Sequence, residues 1–455
     1  TLNGESTTKT YAELLTTNVV KNVTCKNGST TIWDYDNNYL TFTSIKVPDY
    51  CTIDFTDGYI VTLTSSNGTV SPTSQAVGSG GSALFTVTPN SGFKAELATN
   101  TCGGILSGNT YTISKITGNK TCTITFKSKL PTLYEKILAD NPTRRTRTTF
   151  TAFTENTTGT LFTATEKIGT NPEKEVYYYA GNTTKNWVKF ANFYWRIIRT
   201  NADGSIKLLY AGTSPDTTSG YIWTSKFNST SNDPMYVGYM YGTSGTLDSN
   251  RTNANNSAIK TYIDNWYNNN LSSYSKYIST EAIYCNDREL VPESTYKTDG
   301  TTFYYAPFGR LNTNKTPTYN CTNIKDAFSG SNSEAKLTYP IGLMTADEIA
   351  YAGGKFGTSL TSPYAWYYLN SAGGSITGST TWLSLSPDDS SDSLFGIPDV
   401  WIVSGSDLPG RLGSGFAFTK YGVRPAISLK PCTLWTNGNG APETPYEIDY
   451  DNSNC

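Results

Sequence analysis

The stretch Asn186–Gly212, NWVKFANFYWRIIRTNADGSIKLLYAG, constrains the fold more than any other. Apolar side chains crowd its first arm at Trp187, Val188, Phe190, Phe193, Tyr194, Trp195, Ile197 and Ile198, and resume at Ile206, Leu208, Leu209 and Tyr210. Between them Asn201-Ala202-Asp203-Gly204 interrupts the pattern, and Asp-Gly supplies the positive φ of a tight reversal. The segment is therefore expected to be a hairpin. Both arms are poor in charge and rich in β-branched and aromatic residues, which predicts a hairpin covered on both faces in the middle of a sheet.

The rest of the composition agrees with a β-rich protein. Polarity comes from Thr, Ser, Asn and 33 Tyr, with 39 Gly for turns, while only 16% of residues are charged. A chain of 455 residues predicts two to four domains. The net charge of −2 argues against a nucleic-acid partner. No apolar run reaches the roughly 18 residues of a membrane span, so no membrane insertion is expected within the chain. No signal peptide is read, and Thr1 stands where an initiator Met would, so a leader or anchor is expected outside this sequence.

Histidine is absent, which removes Ser-His-Asp and Cys-His catalysis and every His-dependent metal site. The eight cysteines form no CxxC pair. Their even number and wide spacing predict disulfides in an oxidising, extracellular setting. Eight cysteines allow about 100 connectivities, and pairing of sequence neighbours is the expectation. That gives Cys25 with Cys51, Cys102 with Cys122, Cys285 with Cys321 and Cys432 with Cys455.

Residues 1–57 and 58–128 contain an internal repeat. NYLTFTSIKVPDYCTIDF, 38–55, aligns without a gap on NTYTISKITGNKTCTITF, 109–126. Identities include Asn38/Asn109, Ile45/Ile116, Cys51/Cys122, Ile53/Ile124 and Phe55/Phe126. A shared framework from cysteine to cysteine predicts two copies of one small sandwich. Fewer residues precede Cys25 than separate Gly58 from Cys102, so the first copy is expected to lack one or two strands. A different amino-terminal strand arrangement explains that. The alternative is completion of the sheet by a strand from another subunit, since an open edge invites pairing.

GTVSPTSQ at Gly68–Gln75 and GGSALFTVTP at Gly80–Pro89, followed by a closing strand, resemble the immunoglobulin-like repeats of bacterial surface proteins. Such repeats imply a stalk. Leu133, Ile137 and Leu138 then share a helical face ended by Asn141-Pro142, which predicts a linker helix within 129–150. Arg144, Arg145 and Arg147 after it read as a solvated face. Ser257 is expected to cap a helix over AIKTYIDNWY, and Thr345-Ala-Asp-Glu348 is a capping box with its stop at Gly353. Strands are expected at 381–386, 400–403, 415–418 and 422–430, the last with Pro425 at an edge or at its start.

Five motifs carry a second resemblance, over roughly 170–450. They are the hairpin from Trp187 to Tyr210, YCNDR at Tyr284–Arg288, IGLMTADEIAYAGG at Ile341–Gly354, WLSLSP at Trp382–Pro387 and GVRPAISLK at Gly422–Lys430. Together they look like an uncharacterised family of gut Firmicutes surface proteins, similar in turn to the C-type lectin-like fold of the formylglycine-generating-enzyme type. The resemblance implies a mixed domain with two helices and a ligand surface near its carboxyl end. The same fold carries the variable proteins of diversity-generating retroelements. The formylglycine enzymes act through a late cysteine, but Cys432 and Cys455 fall beyond the last family strand and are expected to be a disulfide clip, so no enzymatic activity is expected.

The ligand surface is expected in the loops between 363 and 421. Tyr367, Tyr368, Asp388, Asp389, Phe395 and Arg411 are the exposed candidates, with Trp382 and Trp401 as further ligand residues or as core. Arg424 is expected to be a structural ion-pair partner. No metal or cofactor is assigned, although Asp388, Asp389, Asp392 and Asp399 offer hard oxygens, and calcium is the alternative there.

The sequence thus predicts a β-rich, α+β protein. Two immunoglobulin-like repeats at 1–57 (incomplete) and 58–128 and a linker helix at 129–150 precede a C-type lectin-like head at 151–455. The expected role is that of an extracellular bacterial surface protein, an adhesin binding a protein or glycan. A subunit of a filament or pilus, partnered with its own copies, is the alternative.

Overall fold

The computed structural model describes residues 18–34, 39–360, 365–390, 396–405 and 408–450. It is β-rich, with 39% strand and 14% helix. The chain divides into two compact units, Thr1–Leu130 and Pro131–Cys455.

The first unit contains β1 (Asn18–Cys25), β2 (Thr30–Asp34), β3 (Tyr39–Ser44), β4 (Cys51–Ser66), β5 (Gly68–Ser71) and β6 (Ser74–Gly78). They are followed by β7 (Ala83–Pro89), β8 (Phe93–Asn100), β9 (Ile105–Ser107), β10 (Thr110–Ile113) and β11 (Lys120–Ser128). One sheet runs β1-β4-β11-β8 with β6 on β4; the other runs β5-β7-β10-β9. Strict alternation in β7 turns Ala83, Phe85 and Val87 inward. They meet Val61, Leu63, Ile124 and Phe126 of the facing sheet in a single core.

The repeat reappears in the pairing. β1 pairs antiparallel with the first half of β4 as β8 pairs with β11, and the disulfides Cys25–Cys51 and Cys102–Cys122 occupy matching places. The copies then diverge. β11 has a second, parallel neighbour in Val61–Ser66 of β4, and β10 has a second neighbour in β7. Among the described residues, Cys51–Asp57 and β3 have no such second neighbour. Ile32, Val47 and Tyr50 of this copy are 61%, 56% and 57% exposed. The expected boundary at 57/58 falls inside β4, which runs unbroken through both copies.

In the second unit, α1 (Leu133–Asp140) is capped by Thr132 in a capping box with Glu135. It is not a separate linker. Leu133 and Ile137 are buried in the head's own core, and the Leu133 N–H donates to the Thr433 carbonyl. The sheet that follows holds β12 (Thr143–Thr146), β13 (Thr160–Glu166), β14 (Lys174–Tyr178), β15 (Trp187–Phe190), β16 (Phe193–Thr200) and β17 (Ile206–Tyr210). β16 lies between β14 and β15 and also pairs β17, which pairs Pro425–Leu429. The central, two-face-covered hairpin is therefore as expected, with β17 buried throughout.

The first arm of that hairpin holds a second one. Trp187–Phe190 folds back on Phe193–Thr200 through Ala191 and Asn192, at φ 52° and 65°. Ser257 caps the helix Ala258–Asn270, and Thr345 and Glu348 form the capping box of Ala346–Ala352, which ends at Gly353. Pro425 opens its strand, as a residue without an N–H can. A second sheet joins Trp382–Ser390, Pro398–Val403 and Leu412–Phe416 with short flanking strands. The expected Cys285–Cys321 disulfide is formed, and Cys432 is disulfide-bonded while Cys455 lies outside the described residues.

Candidate binding cavity

Most of the predicted ligand residues lie inside the head. Tyr367 is fully buried, its hydroxyl donating to the Gly410 carbonyl at 2.9 Å. Trp382 and Trp401 are core residues at 0% exposure. Tyr368 is half-buried, with its hydroxyl 3.3 Å from the Gly405 carbonyl. Arg411 is half-buried, and Phe395 lies outside the described residues. The expected exposure of Tyr367, Asp388 and Asp389 is thus corrected. The strands at 382–390 and 398–403 are covered on both faces, so side chains of either parity are enclosed.

Asp388, Asp389 and Asp399 do come together. Burial, then the neighbouring Asp389, pushes the Asp388 carboxyl up to about 8, and the same two causes bring Asp399 to about 7. The Ser414 hydroxyl donates to Asp399 Oδ2 at 3.1 Å. Asp392, the fourth oxygen donor of the calcium reading, lies outside the described residues. Among the described residues, three ligand atoms lie within 4.8 Å of one another only at Cys25, Asp49 and Cys51, where both sulfurs are tied in a disulfide.

The residues of the five motifs are largely structural. Arg199 bridges Glu166 at 2.8 Å and Glu348 at 2.9 Å, and Lys207 reaches Glu348 at 2.6 Å, all of them buried. Beside this network is a small space of about 20 Å³, room for about one water. Asp287 and Asp347 hold Arg310, and Arg288 pairs with Asp326 at 2.7 Å. Arg424 differs from the expected ion-pair partner. Its Nε donates to the Tyr210 carbonyl at 3.1 Å, its Nη1 donates to the Tyr367 carbonyl, and it lies 4.9 Å from the centre of the Trp382 ring.

The open site that the sequence reading missed lies at the edge of the predicted loops. A cavity of about 310 Å³ is bounded by Trp187, Arg196 and Trp366, by Asn182–Thr184, and by Leu369–Gly373. The first residue of β15 and the fourth of β16 supply Trp187 and Arg196, which face each other in register. Arg196 lies 4.2 Å from the Trp187 ring centre and 5.7 Å from that of Trp366. It is fixed by Asn186 Oδ1 at 2.6 Å and by the Leu369 and Thr183 carbonyls at 3.1 Å each. Among the described residues no carboxylate pairs with it. Burial, then the charge of Arg424, works against its protonated form.

The rim is built by Asn370, whose Oδ1 accepts from the Ala372 and Gly374 N–H groups at 3.1 and 2.9 Å. Gly373, at φ 82°, makes the reversal. Trp366 is anchored by its Nε1, which donates to the Tyr179 carbonyl at 3.0 Å. The arrangement is a preorganised cation between two indole rings beneath an exposed Ser-Ala-Gly loop. Trp187 and Trp366, at 1% exposure, and Arg196, at 3%, form its buried floor, and the accessible lining is Asn182, Thr184 and Ser371–Gly373, polar groups suited to non-covalent recognition.

No protein-family model, no curated protein and no solved structure matches the chain. No helix among the described residues is long and apolar enough to cross a membrane.

Proposed function

We propose that this is an extracellular, bacterial surface protein whose lectin-like head binds a glycan or protein ligand without covalent chemistry, preceded by immunoglobulin-like repeats. The disulfides, which call for an oxidising compartment, support the location. The observation that carries the binding reading is Arg196, a buried guanidinium between Trp187 and Trp366, with no carboxylate partner among the described residues. An acidic group on a ligand in the cavity above it supplies the missing counter-charge. Acidic sugars and carboxylate side chains are the ligands this favours. Arrays of acidic and neutral glycans and peptides, probed with the full chain, test it: acidic members are expected to bind over their neutral counterparts, and equal binding overturns the assignment.

A second reading, a subunit of an extracellular filament, is favoured by the first copy of the repeat. Its strand edges, unpaired among the described residues, and exposed Ile32, Val47 and Tyr50 offer a place for strands from another copy. Light scattering on the full chain tests this reading. Concentration-dependent oligomers that Tyr50→Lys disperses support it, and a monomer at all concentrations refutes it.

A further inference from the structure

The turn between β16 and β17 forms one side of a second cavity, of about 350 Å³. Its apolar wall is Ile168, Pro172, Ile283 and Ile324, and Ile324 remains 42% exposed at the margin. Asn201 also lines it, and its side chain is held in one orientation. The Nδ2 donates to Ser205 Oγ at 2.8 Å and to Ser428 Oγ at 3.1 Å, so the Oδ1 is the atom left over. That oxygen is buried and has no hydrogen-bond partner among the described residues. A buried acceptor left unsatisfied is costly, and a donor at this atom removes that cost.

The charged margin asks for the same chemistry. Asp203 and Glu281 are both exposed at the cavity, and neither has an ion-pair partner among the described residues. Asp203 Oδ1 accepts from the Ser205 N–H at 2.9 Å and the Ser205 hydroxyl at 2.6 Å, and Oδ2 from the Ser279 hydroxyl at 3.4 Å; all three donors are neutral. Glu166 also lines the space but is already paired with Arg199. The single cation there is Lys174, on the exposed end of β14. Acceptors outnumber donors, and the floor is aliphatic.

We infer that this cavity binds a small primary amine with an aliphatic body, its ammonium held by Asn201, Asp203 and Glu281 and its chain laid on the isoleucine wall. A lysine side chain and an alkyl amine both meet that description. The site is separate from the Trp187–Arg196–Trp366 cavity and takes ligands of the opposite charge.

Calorimetric titration of the full chain with hexylamine, 1-hexanol and hexanoate tests the inference. Hexylamine is expected to bind about tenfold more tightly than hexanol, with hexanoate weakest, because the ammonium brings three donors and a positive charge, the alcohol one donor and no charge, and the carboxylate no donor and a negative charge. Glu281→Gln removes one margin charge at an exposed position and is expected to weaken hexylamine severalfold while leaving hexanol unchanged. Ser331→Trp, also at an exposed lining position, is expected to block both; Ala372→Trp in the other cavity is expected to block neither. Equal affinity for hexylamine and hexanoate overturns the inference. So does hexylamine binding that survives Ser331→Trp in a variant whose thermal unfolding matches the parent.

Discussion

Burial sets the ionisation of Asp388 and Asp399. With Asp388 raised to about 8 from an ordinary 3.8, the folded chain keeps a proton over pH 4–8 that the unfolded chain gives up. Asp399, raised to about 7, acts in the same sense over a narrower range. Because the folded state binds more protons there, stability falls as pH rises through that window. Thermal unfolding of the full chain is therefore expected to shift down between pH 5 and pH 9, and Asp388→Asn to flatten the profile and raise stability at the alkaline end. A head transition independent of pH, or an unchanged slope in the variant, contradicts this. The aspartates were visible in the sequence as an acidic cluster, but their burial was not. Tyr367 misled in the same way: Tyr and Trp amid Ser and Gly read equally as a paratope or as a core strand, and only the strands closing over them decide.

Among the elements, those specified by neighbours in sequence were legible. Ser257 and Thr345 cap helices by accepting from backbone N–H groups three residues on, a contact that spacing alone encodes, and Thr132 caps α1 in the same way although only that helix's apolar face and its stop are expected from the sequence. The turn at Ala191-Asn192 escaped notice because it places two non-glycine residues at positive φ and breaks what reads as one apolar arm. It also brings Trp187 opposite Arg196, and so makes the cavity invisible to a linear reading. Helix α1 was seen correctly, but its role was not, since an amphipathic face does not say which core it covers. Its buried Ile137 now assigns it to the head. Ile137→Ala is expected to lower the head's stability by about 2–5 kcal/mol in denaturant unfolding, with the first unit's transition unmoved. Loss confined to the first unit, or no loss, contradicts that assignment.

For the whole molecule, the chain is two β-rich units, and the disulfide pattern is the feature that sequence spacing conveyed best, with three neighbour pairs formed. The repeat fixed the matching strands of the first unit, but the continuous β4 shows that two copies in sequence need not be two bodies. In the head, the motifs that carry the family resemblance serve mainly as buried ion pairs and caps. The open chemistry lies within the first of them, at Trp187 and Arg196 of the hairpin, with Trp366 from outside the motifs. Calorimetric titration of the tightest acidic array ligand into the parent chain, Ala372→Trp and Asp389→Asn tests that placement most directly. Binding lost in Ala372→Trp and kept in Asp389→Asn is the predicted result, whereas binding kept in Ala372→Trp and lost in Asp389→Asn returns the ligand to the acidic strands.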